Sequence, residues 1–309
     1  MKNFLSTTLW LAQLAAVHGA PSGYSSSSSS SNLAKCNGPR FQHQPIKQVP
    51  HTEVQQGPLT NSSASESPLT DQQNTPYYYT TNWAGAALLS ADLASTPILT
   101  SVAAAFTAPI PTVSSNMAGE AASIWVGIDG FVNTGAILQA GIDVVTASSS
   151  TEEEVEYVYT AWYEWYPANA VDFSPEVLAI KGGDVIVATV YATSSSAGVA
   201  VIENESNGQR ATATVTAPAA TSTLTGQSAE WTVEDYQSSG ETVSFLNFGS
   251  VTFTGVTAGA AAGNLTFAVE DEEDEAAVAL VDLVNLSTEK YVAKASIVYD
   301  GSGILVEYV

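Results

Sequence analysis

Four short segments of this chain place isolated carboxylates or an amide beside aromatic rings at strand spacing. In 125–130 (WVGIDG), Trp125, Gly127 and Asp129 fall on one face, with Val126 and Ile128 on the other. In 136–143 (AILQAGID), Gln139, Gly141 and Asp143 share a face. In 159–167 (YTAWYEWYP), Trp162, Glu164 and Tyr166 lie opposite Tyr163 and Trp165. In 229–236 (AEWTVEDY), Glu230, Thr232 and Glu234 lie opposite Trp231 and Val233. Rings that bury ligand surface and raise a carboxyl pKa, beside polar groups that orient a ligand, are the ingredients of a hydrolytic cleft. The same stripes also fit a sheet core or a cross-strand ladder, and a single glutamate on a strand also fits a wet face.

The residues that are missing narrow the chemistry. His18, His43, His51 and Cys36 all lie in the first 51 positions. From Tyr77 to Val309 there is no histidine or cysteine, so that region cannot run a Ser-His-Asp or Cys-His mechanism and lacks the usual zinc ligands. There is no sign of a metal or an organic cofactor. Of the 31 acidic residues only Glu53, Glu66 and Asp71 precede Tyr77, and of the eight Lys and Arg only Lys181, Arg210, Lys290 and Lys294 follow it. The later region thus carries 28 acids against four bases, a formal charge of −24. Such a surface repels nucleic acid and anionic membranes. In strong acid its carboxyls neutralise and about five positive charges remain, so it escapes the self-repulsion that unfolds ordinary proteins there.

The elements that must position these groups read as strands. Alternation is clear in 124–129, 155–166, 184–193, 209–216, 242–254 and 303–309, with Gly, Ser, Asn and Asp clusters between the runs. One helix-like stretch spans 275–284, after an acidic run at 270–275 that reads as a solvated loop, as does 152–154. The pattern predicts an all-β chain folded as an antiparallel sandwich over 77–309. Residues 1–20 read as a secretory signal: Lys2, an apolar run from Phe4 to Val17, then small residues. The chain is therefore expected to be secreted and extracellular. Sequons at Asn61, Asn204, Asn264 and Asn285 fit that route. Residues 21–76 are rich in Ser, Pro, Gln and Asn and do not read as core. Within them 21–52 carry Lys35, Arg40, Lys47, His43 and His51 and no acid, which predicts a propeptide held electrostatically on the acidic domain.

At six stretches, in order, the chain resembles the glutamic peptidases, or eqolisins, secreted acid endopeptidases: 81–88 (TNWAGAAL), 125–130, 136–143, 161–167 (AWYEWYP), 229–236 and 248–254 (FGSVTFT). The resemblance runs from about Thr81 to the C-terminus. It implies two large antiparallel sheets of concanavalin A-like or jelly-roll type, a removable propeptide that inhibits the enzyme, and protein or peptide substrates. It also implies a Gln/Glu dyad, which falls on Gln139 and Glu230, and cleft positions at Trp83, Trp125, Asp129, Asp143 and Glu164. The chemistry agrees: a glutamate takes a proton from water and returns it to the leaving amine, and an amide donates to the oxyanion. The cysteine-free domain and the loop Phe131-Val132-Asn133 depart from the family pattern. Two other readings stand beside this one: a sugar-binding sandwich module, and a glycosidase using Glu164 and Glu230. Neither DTG nor DSG occurs, which disfavours a pepsin-like site. A highly charged secreted hydrolase of this kind is expected to be a monomer.

Overall fold

In the computed structural model the described residues are 41–50, 76–90, 98–111, 119–148, 155–238, 241–260, 263–266, 276–298 and 301–309. The signal segment, Asn61, Lys35, Arg40, His51 and the acidic runs at 152–154 and 270–275 lie outside them. The strands are β1 (Phe41–Gln42), β2 (Gln48–Val49), β3 (Tyr77–Thr80), β4 (Trp83–Ser90), β5 (Leu99–Thr107), β6 (Glu120–Ile128) and β7 (Ile137–Ser148). They continue with β8 (Val155–Tyr166), β9 (Val171–Asp172), β10 (Val185–Ser194), β11 (Ala197–Asn204), β12 (Gln209–Thr216), β13 (Ser228–Glu234) and β14 (Gln237–Ser238). The last are β15 (Glu241–Thr242), β16 (Ser244–Phe245), β17 (Ser250–Ala260), β18 (Gly263–Thr266), β19 (Ala276–Asn285), β20 (Lys290–Ile297) and β21 (Gly303–Tyr308).

Pairing runs β9–β8–β7–β6–β13–β4–β19 through one layer. It runs β12–β11–β10–β5–β17–β21–β20 through the other. The β19–β20 hairpin links the two layers. Every pairing is antiparallel except the short β16–β6 and β19–β3 contacts. This is the all-β sandwich that the alternation predicted.

Period-two patterning sorts the residues of the first layer. Ile124, Val126 and Ile128 of β6, Leu138, Ala140 and Ile142 of β7, and Ala229, Trp231 and Val233 of β13 enter the main core. From that core Trp231 donates its indole N–H to the carbonyl of Ala103 on β5, at 3.0 Å, which satisfies the ring's one polar atom. The opposite face carries Trp83, Ala87, Trp125, Ile137 and Trp162 as a second apolar cluster, and every predicted site residue except Asp129 lies on a strand of this layer.

Three sequence expectations are corrected. The helix-like stretch at 275–284 is strand β19, paired with both β4 and β3. Its Ala-rich composition permits a helix, but Leu280 and Leu283 join the sandwich core, so tertiary packing overrides propensity. The run 242–254 is not one strand: it breaks into β15, β16 and a loop before β17 begins at Ser250. Finally, part of the leader does enter the fold. His43, Ile46 and Val49 are buried, and Ile46 packs in the cluster with Trp83 and Trp125. One of the four sequons is also unusable in the folded chain: Asn204 is fully buried and its amide donates to Ala179 O and Asp184 Oδ2. Asn285 is exposed, with its Oδ1 accepting from Ser287.

Candidate active site

The second face of the first layer supplies the site. Cross-strand register puts Gln139 of β7 beside Gly127 of β6, and Gly127 beside Glu230 of β13. The three residues form one row over adjacent strands, so two strand spacings separate Gln139 from Glu230, about 10 Å between backbones. Both long side chains reach into the space over Gly127. That space depends on the glycine. A Cβ there would stand 2.9 Å from the Trp125 ring and 3.3 Å from Gln139 Cβ. We expect Gly127→Ala to lower kcat by about a hundredfold through displacement of Gln139 and Trp125, with a melting temperature lowered by several degrees while the chain still folds. Steady-state kinetics and a melt on the same sample check this; wild-type kcat would refute it.

Glu230 is fully buried, and neither of its oxygens meets a partner in hydrogen-bond geometry. Burial pushes its pKa well above the ordinary value, the Asp129 charge adds to this, and the nearby Ser228 hydroxyl and Phe131 backbone pull the other way. Gln139 donates Nε2–H to Glu164 Oε2 at 3.3 Å, and its Oε1 is also unpaired. Glu164 sits directly across from Gln139 on β8. Burial raises its carboxyl to about 8, against the opposing pull of His43. Asp143, two residue pairs along β7, is raised to about 6 for the same reason.

The remaining predicted positions separate into two groups. Trp83 and Trp125 pack edge to face at 4.9 Å and line the cleft. Trp125 donates its indole N–H to Glu234 Oε2 at 2.9 Å. Asp129 does a different job. Its carboxylate accepts from Thr225 N at 2.6 Å, Gly226 N at 3.2 Å, Gln227 N at 3.0 Å, the Thr225 hydroxyl and Asn133 Nδ2. It therefore clamps the loop that leads into β13 and holds a left-handed backbone (φ 67°) in doing so. That arrangement positions Glu230 and leaves Asp129 no free acceptor for a ligand.

The leader lies in this cleft. The His43 ring stacks on Trp162 at 3.7 Å and 9°, with Tyr236 tilted against it at 5.1 Å. Its Nδ1 lies 3.2 Å from Glu234 Oε2 and its Nε2 lies 3.8 Å from Asp143 Oδ1. Its backbone N–H donates to Glu164 Oε2 at 3.2 Å, and its carbonyl accepts from Gln139 Nε2 at 3.5 Å. Gln44 N–H donates to Glu234 Oε1 at 2.9 Å, and Trp83 donates its indole N–H to Gln44 O at 3.0 Å. Asn82 accepts from Lys47 N–H at 2.8 Å and donates to Pro45 O at 3.0 Å. Burial opposes charge on His43, but Asp143, Glu234 and Glu164 outweigh it and raise its pKa to about 9. The side chain of Lys47 is exposed, though its charge acts on Asp235; the buried electrostatic contact runs through His43.

Sequence reasoning did not assign four cleft residues to the site: Trp162, Glu234, Asn82 and Tyr236. Glu234 lies four residues from Glu230 on one strand face, a spacing that could have flagged it. Asn82 adjoins Trp83 within the 81–88 motif. Tyr236 carried no comparable signal.

The match to known proteins decides the class. The model of the Peptidase A4 family matches residues 81–308. The chain belongs to this family. The peptidase is 38% identical over 222 residues to aspergillopepsin-2 of Aspergillus niger, covering 65% of this chain and 73% of that protein. It is 36% identical over 172 residues to scytalidopepsin B of Scytalidium lignicola, covering 55% and 58%. Its fold is similar to scytalido-glutamic peptidase solved with a transition state analog inhibitor, at a TM-score of 0.59 and 28% identity, covering 74% of this chain and 98% of that one. The peptidase is thus a peptide-bond hydrolase acting on protein or peptide substrates, and the sugar-binding and glycosidase readings are set aside.

Proposed function

We propose that the chain is an acid endopeptidase, secreted as a zymogen and active as a monomer. In this reading residues 1–20 are the signal, 21–76 the propeptide and 77–309 the enzyme. Glu230 takes a proton from the attacking water and returns it to the departing amine, while Gln139 donates to the oxyanion and orients the water through Oε1. One observation carries this: Gln139, Gly127 and Glu230 stand in a row on the cleft face, and Gln139 Oε1 and both Glu230 oxygens are buried without a hydrogen bond of good geometry, the Ser228 hydroxyl and Phe131 backbone lying near Glu230. Buried polar atoms left unpaired together mark a place where a ligand or water completes the hydrogen bonding. With the leader seated, burial pushes the Glu230 pKa well above the ordinary carboxyl range, which opposes the ionised form that a general base needs. Release of the leader readmits water, which lowers that pKa towards the acid range.

The test is digestion of acid-denatured protein by the matured domain at about pH 3 and at pH 7. Activity at the lower pH that survives pepstatin, chelators and serine- and cysteine-directed reagents is expected. Loss of activity to a chelator would overturn the reading.

Leader inhibition should depend on pH with a definite sign. The attraction needs His43 protonated and Asp143 ionised. It is present between about pH 6 and about pH 9, fades above that as His43 loses its proton, and fades below as Asp143 gains one. We therefore expect the inhibition constant of a synthetic 39–50 peptide against the matured enzyme to rise at least tenfold between pH 6.5 and pH 4. A constant unchanged over that interval would show that the charges are incidental. Maturation in acid, by a cut between about Asn61 and Tyr79, is part of the same proposal.

A further inference from the structure

The slot that holds the His43 ring is matched to a particular side chain. Its floor is the Trp162 indole, stacked flat on the imidazole. Its walls put a carboxyl group opposite each ring nitrogen: Glu234 from β13 at Nδ1 and Asp143 from β7 at Nε2. Glu234 is itself held in place by the Trp125 indole N–H. All four of these side chains are buried, so the slot is built and not a surface accident. A planar ring with an N–H at each of these two edges matches the arrangement, as protonated imidazole does: Nδ1 hydrogen-bonds Glu234, and Nε2 faces Asp143 at ion-pair distance without a hydrogen bond. A phenyl ring would stack equally well but would leave Asp143 Oδ1 facing no cation and would remove one of the three donors on Glu234, which keeps only the Trp125 and Gln44 N–H groups; losing charge partners in a buried site is costly. A lysine ammonium would bring the charge but no flat surface for Trp162. The backbone of the same residue is also engaged, through N–H to Glu164 and through its carbonyl to Gln139, the proposed oxyanion donor.

We propose that this slot is a specificity pocket of the peptidase, selecting a protonated histidine at the substrate residue whose carbonyl faces Gln139, and that the leader occupies it by presenting His43 in the same way. The proposal rests on the peptidase reading above and adds the side chain that the enzyme prefers. Asp143 and Glu234 are the residues that determine it. Asp172, whose charge acts on Asp143, and Glu164 are the other acids around the slot, and Tyr236 closes its side.

The test uses the matured enzyme and a set of otherwise identical fluorogenic peptides carrying His, Phe or Lys at this one position, assayed at about pH 6, where a free imidazole is still largely protonated and Asp143 is substantially ionised. The expected result is a kcat/KM for the His peptide at least tenfold above those for Phe and Lys. In Asp143→Asn the His-to-Phe ratio should collapse towards one, and because it is a ratio within one enzyme it is insensitive to general loss of activity. A His peptide cleaved no better than the Phe peptide would overturn the proposal, while cleavage of the Phe peptide would leave the peptidase reading standing. A second measurement needs no turnover: a 39–50 peptide carrying His43→Phe should inhibit at least tenfold more weakly than the natural sequence at pH 6.5. Equal inhibition would overturn the proposal as well.

Discussion

Glu230→Gln is expected to remove peptide-bond cleavage to below detection, and Gln139→Ala to lower kcat by about 10²–10³-fold, with both variants folded. The first loss is larger because Glu230 is asked both to accept the water's proton and to supply one to the amine. Gln139 supplies one oxyanion donor, and other polar groups near the cleft retain some of the binding. The Glu230 substitution conserves shape and introduces a neutral amide where burial already disfavours a charge, so stability should not fall. A digest of a denatured protein, alongside circular dichroism of the same sample, reads both outcomes. Wild-type turnover by folded Glu230→Gln would remove Glu230 from the chemistry.

The second large effect is on stability. Asp143, Glu164, Asp235 and Asp282 are raised to about 6, 8, 7 and 6, and Glu230 and Asp172 are raised as well. Their unfolded values lie near 4. A carboxyl whose folded pKa exceeds its unfolded one binds more protons in the native state, so it stabilises the fold below about pH 4 and loses that contribution as pH rises through its folded value. The window of loss therefore runs from about pH 4 to about pH 8. The melting temperature of the chain with its leader seated should fall by roughly 10 °C or more between pH 4 and pH 7. A melting temperature that rises over that interval would refute the argument. The formal charge of −24 reads as crowding of carboxylates, but burial is the leading cause of each of these shifts. Salt screens surface charge far better than buried charge, so it should rescue the neutral-pH melt only slightly.

Much of this was legible in the sequence. Alternation in β6, β7, β8 and β13 fixes which side chains share a face, and that alone places Gln139, Glu230, Glu164, Asp143, Trp125 and Trp162 together once the strands are neighbours. Neighbour order is not a local property, so the row Gln139–Gly127–Glu230 needed the register. Asp129 follows the same alternation, yet it lies one residue past the end of β6, where a left-handed turn aims its carboxylate at the 225–227 amides. The leader was the least legible part. Residues 41–50 have no periodic apolar pattern, and their burial comes from fitting a groove formed by distant strands. The absence of histidine after Tyr77 therefore describes the domain correctly, while the latent cleft contains one all the same.

The central claim is that Gln139 and Glu230 flank the reacting carbonyl. It is tested most directly by a crystal structure of the matured domain bound to a peptide analogue with a tetrahedral phosphinate at the scissile position. One phosphinate oxygen should accept from Gln139 Nε2 and the other should lie within about 3 Å of a Glu230 oxygen. A phosphinate bound instead between Glu164 and Glu234, out of reach of Glu230, would contradict the account.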